Sequence, residues 1–280
     1  LVQMGDQLDS KRGEINTKDN NNRFSFFNIN KLLKKLDKQS KLENGLVISL
    51  IGNHEIMNIM GNYKYVGNKQ FDDTSDYLSD VGIETNNSNI LDDRDTLFNN
   101  SKFIKNMACN RNIVVKIGSW IFVHAGLVYN IVENYDLEKI NEIARSWILG
   151  IDIEEIHKNN ILFSPKYSPT WYRGYGKNVN CKMLDKALNI IKAKNMVVGH
   201  SVQSKYINSV CNNKLWRVDT GLWFRETEEI AEPIQILEIL NDGKEVNIYK
   251  YKEYLYLQKI LKDLEKNKFL KLVKNDIIPT

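Results

Sequence analysis

Leu46-Val47-Ile48-Ser49-Leu50 runs straight into Ile51-Gly52-Asn53-His54-Glu55-Ile56-Met57-Asn58, and the reading of this junction decides the fold. A strand covered on both faces shows as a continuous apolar run. Ligands in open α/β architectures collect at the carboxyl ends of such strands. Gly52 lets the chain turn sharply there, Asn53 brings an amide oxygen, and His54 brings a group that titrates near neutral pH. The competing reading is a polar turn with a chance histidine.

That reading weakens because the pattern recurs. Leu1-Val2-Gln3-Met4 enters Gly5-Asp6-Gln7-Leu8-Asp9, with two carboxylates three positions apart. Ile113-Val114-Val115-Lys116-Ile117, the turn Gly118-Ser119 and Trp120-Ile121-Phe122-Val123 predict a hairpin ending in His124-Ala125-Gly126-Leu127. Met196-Val197-Val198 ends in Gly199-His200-Ser201. Three of the four histidines in the chain therefore follow apolar strands. The fourth, His157, lies in the polar stretch 152–158 and reads as solvated helix surface.

Asp6, Asn53, His124 and His200 form an oxygen and nitrogen ligand set without thiolate. Such a set suits manganese, iron or zinc better than calcium or a structural zinc knot. A carboxylate such as Asp6 can bridge two cations, the arrangement that serves in-line phosphoryl displacement. His54 follows a ligand directly and can face the same cavity as a general acid, with Asp9 holding its imidazole in one tautomer.

Taken in order, Gly5-Asp6 with Asp9, Gly52-Asn53-His54-Glu55, His124-Ala125-Gly126-Leu127 and Gly199-His200-Ser201 resemble the motifs of the calcineurin-like metallophosphoesterases, and among these the phosphoprotein phosphatases. The Shewanella-like branch is more similar still. Its Met-Asn-x-x-Gly-x-x-Lys/Arg-Tyr-Val stretch is matched by Met57 to Val66, its Pro-x-Trp-Tyr-Arg-Gly-Tyr element by Pro169 to Tyr175, and its final motif by Val218-Asp219-Thr220-Gly221-Leu222. The resemblance spans residues 1–225. It implies that Asp6 bridges two metals, that Asn53, His124 and His200 complete the second metal's shell, and that His54 protonates the leaving group with support from Asp9. Arg173, together with Arg12 and Asn53, is then expected to contact the phosphate, a task suited to a guanidinium that donates two parallel bonds. Packing of Arg173 between Trp171 and Tyr175 is the alternative use of that side chain.

Two departures from the family pattern stand out. Its first motif, an Asp-x-His on the strand before Gly-Asp, has no counterpart, because only five residues precede Asp6. With Leu1 as the first residue, the expectation is an N-terminal truncation rather than a lost metal site. Glu155-Ile156-His157 has a related spacing but lies in a polar helix. In addition, Asp9-Ser10-Lys11-Arg12-Gly13 displaces the arginine by two positions from its usual place after the aspartate. Ala125 for glycine and Ser201 for threonine are milder changes.

Composition is that of a cytoplasmic, soluble protein. Cys109, Cys181 and Cys211 have no regular spacing and leave an odd count, so reduced thiols are expected. No apolar run reaches the length of a membrane helix, and the expected N-terminal truncation leaves a targeting segment open. The net charge of +4 on 39 basic and 35 acidic residues gives no reason to expect a nucleic-acid partner. Residues 252–274 hold seven lysines against three acids, with Leu257, Ile260, Leu261, Leu264 and Leu270 near one face. This reads as an amphipathic helix packed on the domain, in preference to one lying on a membrane.

The expected architecture is α/β, an α+β sandwich of two sheets flanked by helices and lacking its first strand. A metallophosphatase domain over 1–250 would carry a helical insertion at 56–110 bordering the active site, with an Asn-rich turn at 86–89, and 251–280 would form the C-terminal helix. Residues 14–30 read as a loop. Lys31–Leu42, Tyr135–Leu149 and Lys182–Ala193 read as helices, and Ile234–Leu240 with Val246–Lys250 as a closing hairpin. The expected function is hydrolysis of phosphomonoesters, on phosphorylated Ser/Thr or Tyr side chains, by attack of a metal-bound hydroxide. The alternatives are a calcineurin-like hydrolase of nucleotides or other small phosphoesters, for which Trp171, Tyr172 and Tyr175 would stack bases, and a pseudophosphatase that binds phosphoproteins without turnover.

Overall fold

A computed structural model describes residues 1–9, 26–85, 89–151, 164–204, 206–221 and 234–251. The chain divides into two compact units, Leu1–Asp219 and Thr220–Thr280.

The first unit contains two sheets. In one, β1 (Val2–Gln3), β2 (Ile48–Leu50) and β3 (Arg111–Asn112) pair in parallel. The other is five-stranded and built from β4 (Val114–Ile117), β5 (Trp120–Val123), β6 (Asn195–Val198), β7 (Asn208–Val210) and β8 (Leu215–Arg217), in the order β4-β5-β6-β8-β7. Its central strands β5, β6 and β8 run in parallel, and β4 and β7 flank them antiparallel. The predicted hairpin is present, with Ile117 opposite Trp120 across Gly118-Ser119. The apolar run at 46–50, read as a five-residue strand, contributes only Ile48–Leu50.

Ile113, fully buried, is where the chain leaves one sheet and enters the other. The polar backbone at this crossing needs partners away from water. Asn141 supplies them: its Oδ1 accepts the N–H groups of Ile113 and Val114 at 2.9 and 3.1 Å, and its Nδ2 donates to the Val114 carbonyl at 2.9 Å.

Helices cover the sheets. α1 (Phe26–Leu42) begins earlier than the expected Lys31, because buried Phe26 packs edge-on against Phe27 and Phe103 and so extends the helix into the Asn-rich segment. The insertion is largely helical: α2 (Asn53–Ile59), α3 (Asn68–Asp80), α4 (Ile90–Asn99) and α5 (Ser101–Asn110). Then follow α6 (Tyr129–Val132), α7 (Leu137–Ile148) and α8 (Cys181–Ile190). The abundant asparagine serves helix starts. Asn89, Asn100 and Asn180 each accept a backbone N–H from the first turn of α4, α5 and α8, as Asp136 does for α7. Ile121, Val123, Met196, Val198 and Leu215 from the five-stranded sheet meet Ile140, Ala144, Leu184 and Leu188 in one core.

One expectation is corrected here. Cys181 and Cys211 form a disulfide with Cα atoms 5.4 Å apart, and Cys109 alone is free and exposed. The pairing joins the first residue of α8 to the turn between β7 and β8, a tertiary contact that spacing in sequence cannot signal. Disulfides persist in oxidising compartments, so the cysteine argument for a reducing cytoplasm falls away. No helix among the described residues is long and apolar enough to cross a membrane.

The second unit contains the predicted hairpin, β9 (Ile234–Leu240) and β10 (Glu245–Tyr251), paired antiparallel around a turn at Asn241–Gly243. The loop at 14–25, Arg12, the centre of the Asn-rich turn (86–88), His157 and the expected C-terminal helix beyond 251 lie outside the described residues.

Candidate metal and catalytic site

Strand register brings the ligands together. β5 and β6 are parallel neighbours with Val123 opposite Val198, so His124 and His200 emerge side by side just past the last paired residues. The Gly199 N–H, bonded to the His124 carbonyl at 2.8 Å, extends the pairing by one step. In the other sheet Gln3 lies opposite Ser49, and the loops that follow carry Asp6 and Asn53. Gly52 is required at this approach: a Cβ there would overlap the Asp6 carboxylate. Gly5 is equally constrained, at φ +93° with Gly52 N only 2.6 Å from where its Cβ would lie. Asp6, Asp9 and His200 themselves adopt left-handed backbone, at φ +56°, +70° and +63°. Residues with side chains rarely hold this conformation unless the surroundings impose it, and such outliers cluster at functional sites.

The four predicted ligands converge on one point. His124 Nδ1 lies 2.7 Å from the Met4 carbonyl, which can only accept, so that nitrogen carries the proton and Nε2 is left with a lone pair. Around Nε2 stand Asn53 Oδ1 at 3.2 Å, His200 Nδ1 at 3.2 Å and Asp6 Oδ2 at 3.3 Å. Asp6, His124 and His200 offer ligand atoms that all lie within 4.8 Å of one another. His200 Nε2 is buried with no hydrogen-bond partner among the described residues.

A set of lone pairs facing one another calls for positive charge at its centre. A proton on His124 Nε2 can satisfy one neighbour at a time; a cation satisfies them all. The donor chemistry of carboxylate, carboxamide oxygen and two imidazoles therefore fits a metal ion. Electrostatics agree. Burial alone would raise the Asp6 pKa, but His124 and His54 beside it hold the carboxyl far below its ordinary range. Burial alone would lower that of His124, but the Asp6 carboxylate raises it above the ordinary imidazole value. His200 is pushed down to about 3, by burial first and then by His124 and Arg173. It is a neutral donor.

His54 stands beside this cluster. Its Nδ1 is 2.7 Å from Asp9 Oδ2, and its Nε2 faces Asp6 Oδ2 at 3.8 Å. The Asp6 Oδ1 atom accepts the His54 backbone N–H at 3.0 Å, and Tyr65 packs edge-on against the imidazole with ring centroids 5.1 Å apart. Arg173 is exposed and donates from Nη1 to the His200 carbonyl at 3.3 Å. Tyr175 is fully buried and donates its hydroxyl to the Leu127 carbonyl at 3.0 Å, which removes it from the expected set of base stackers.

Four residues that sequence reasoning missed as site residues hold this arrangement. Glu55 is fully buried and gathers the N–H groups of Asp6, Gln7, Leu8 and Gly52 at 2.9, 2.8, 3.3 and 2.7 Å. Its place three residues after Gly52, the N-cap of α2, was the available signal. Asn58, Arg94 and Thr74 form a buried polar cluster behind Asp9. Arg94 gave no signal, since Leu91-Asp92-Asp93-Arg94-Asp95 reads as a solvated helix face.

The fold resembles that of a cold-active protein tyrosine phosphatase, with a TM-score of 0.60 and 23% identity over 90% of this chain and 68% of that one. Taken with the phosphatase names of its relatives, the class is that of the phosphatases. An uncharacterized protein of Acanthamoeba polyphaga mimivirus, R398, is 35% identical over 240 residues, which cover 74% of this chain and 92% of that protein. Shewanella-like protein phosphatase 2 of Arabidopsis thaliana is 29% identical over 91% of this chain and 70% of its own length. No protein-family profile matches the sequence. The chain belongs to the Shewanella-like protein phosphatases.

Proposed function

We propose that this chain hydrolyses phosphomonoesters on phosphorylated protein side chains, using a cation held by Asp6, Asn53, His124 and His200. The observation that carries the reading is the ring of acceptor atoms about His124 Nε2, with the His54–Asp9 pair set against its edge. When bound, a manganese, iron or zinc ion there supplies Lewis acidity and lowers the pKa of water toward neutrality. Asp6 would also offer its carboxylate to a second cation of the same kind.

The chain's own groups do the rest. As the oxygen of a water molecule that has already given up one proton to solvent bonds to phosphorus, the ester P–O bond breaks and its electron pair goes to the side-chain oxygen. His54 Nε2 gives that oxygen its proton, while Asp9 holds Nδ1–H and so keeps the donor aimed across Asp6. Arg173, anchored on the His200 carbonyl, reaches toward the phosphate with its remaining donors. Buried Asn53, His54 and His124 restrict water at the reacting centre.

The test combines metal analysis with phosphoseryl, phosphothreonyl and phosphotyrosyl peptides and free nucleotides. His124→Ala should lose the metal and turnover together. His54→Asn should retain metal and lose roughly a hundredfold or more in kcat on alkyl phosphates, with a smaller loss on activated aryl phosphates. Hydrolysis confined to nucleotides would replace the protein substrate with a small phosphoester.

A further inference from the structure

Behind the His54–Asp9 pair lies a second layer of polar groups, of which Asn58, Arg94 and Thr74 are buried. The Asn58 carboxamide sits at its centre. Nδ2 donates to Asp9 Oδ1 at 2.9 Å, to Asp9 Oδ2 at 3.1 Å and to the His54 carbonyl at 2.9 Å. Its Oδ1 accepts twice from Arg94 of α4, from Nε at 2.9 Å and from Nη2 at 2.7 Å. Arg94 is in turn held by α3: its Nη1 donates to Thr74 Oγ1 at 2.9 Å and to the Gln70 carbonyl at 3.3 Å. The rings of Tyr63, Phe71 and Phe98 stand 5.9, 6.0 and 5.3 Å from the guanidinium carbon.

The direct separation of Arg94 Nη2 from Asp9 Oδ1 is 3.7 Å, longer than a hydrogen bond. Beyond its charge, the arginine's hydrogen bonds therefore reach the aspartate through the amide. A carboxamide can sit in either of two flipped orientations, and only one puts its N–H groups against a carboxylate. Two donors from Arg94 on Oδ1 forbid the flipped one. With the amide fixed, both Asp9 oxygens are fixed, and through Oδ2 so is the direction in which His54 Nε2 points.

We propose that Asn58 and Arg94 are positioning residues for His54, so that the α3–α4 insertion sets the aim of the general acid through Arg94, Asn58 and Asp9. The proposal rests on the general-acid reading of His54 given above. Lysine cannot replace the arginine, because one ammonium cannot place two donors on Asn58 while also reaching Thr74 and Gln70.

The test uses the metal-loaded full chain as wild type, Arg94→Lys, His54→Asn and the double variant. Each is assayed on aryl phosphates of graded leaving-group pKa, with a phosphoseryl peptide as the hardest leaving group. Arg94→Lys should lower kcat about tenfold or more on the hardest leaving groups and little on the easiest, with KM and metal content unchanged. In the His54→Asn background the same change should alter kcat by less than about twofold, because the group it acts through is gone. Equal losses across the series, or losses that multiply in the double variant, would reduce Arg94 to a packing role and overturn the proposal. Wild-type kcat for His54→Asn on the hardest leaving groups would remove the general-acid reading and this proposal with it. An impaired His54→Asn that multiplies with Arg94→Lys sinks the proposal alone. Should Arg94→Lys fail to fold, Thr74→Val is nearly isosteric and removes one acceptor from Arg94; it should show the same leaving-group dependence at several-fold size, and a flat response overturns the idea.

Discussion

In the proposed site, His124 is the residue on which metal and proton would compete. Its Nδ1 is committed to the Met4 carbonyl, so a cation and a proton must share Nε2. Because Asp6 raises the imidazole pKa above its ordinary value, the metal-free site holds that proton to higher pH than a free histidine would. Metal affinity is therefore full above the raised pKa and is lost as pH falls through it, by about tenfold per pH unit once the proton is fully bound. Calorimetric titration of manganese or zinc from about pH 8 to about pH 5.5 should show the decline together with proton release on binding. A flat affinity would mean that His124 is no ligand. That Asp6, Asn53, His54, His124 and His200 would meet was legible before the structure because each is polar and lies within three residues of the end of an apolar run. Arg94 was not, since its burial depends on three aromatic rings and on Asn58, Thr74 and Gln70, supplied by other parts of the insertion.

Among the elements, the short helix α2 does the most to shape the site. Asn53 and His54 occupy its first turn, and Glu55 turns back to hold Gly52 and the loop after β1. By accepting N–H groups from both loops, the carboxylate ties them to each other. Glu55→Gln keeps the volume but turns one acceptor into a donor that faces N–H groups. We expect it to cost about 2–4 kcal/mol of stability and to weaken metal binding, read as a lower urea midpoint and a reduced metal content. An unchanged midpoint would mean that the loops are held by something else. Helix and strand types were readable from periodicity, as the hairpins at 114–123 and 234–251 show. The switch between sheets at Ile113 was not readable, because it depends on Asn141 arriving from a helix 28 residues further on. The disulfide escaped for the same reason, its two cysteines being 30 residues apart in sequence.

At the scale of the whole molecule, the proposed ligands come in equal shares from two sheets that are not paired with each other among the described residues. Asp6 and Asn53 follow strands of the three-stranded sheet, and His124 and His200 follow strands of the five-stranded one. In the absence of a cation, the side-chain links across this seam include His124 to Met4, His124 to Asn53 and the His124–Asp6 pair. A cation bound as proposed would add coordination bonds from both sides to one atom, and these would exist only in the folded chain. Binding should therefore stabilise the fold by mass action, by about 2.7 kcal/mol at a free metal concentration one hundred times Kd. The gain should show as a rise in Tm that a chelator reverses, and as slower amide exchange in the loops after β1, β2, β5 and β6 together. His54→Asn should keep the whole rise, since His54 lies beside the ligand set, whereas His124→Ala should abolish it. A Tm that rises with metal in His124→Ala as in the wild type would put the cation elsewhere on the chain. Exchange slowed in the loops of one sheet alone would show that the metal does not join the two halves of the site.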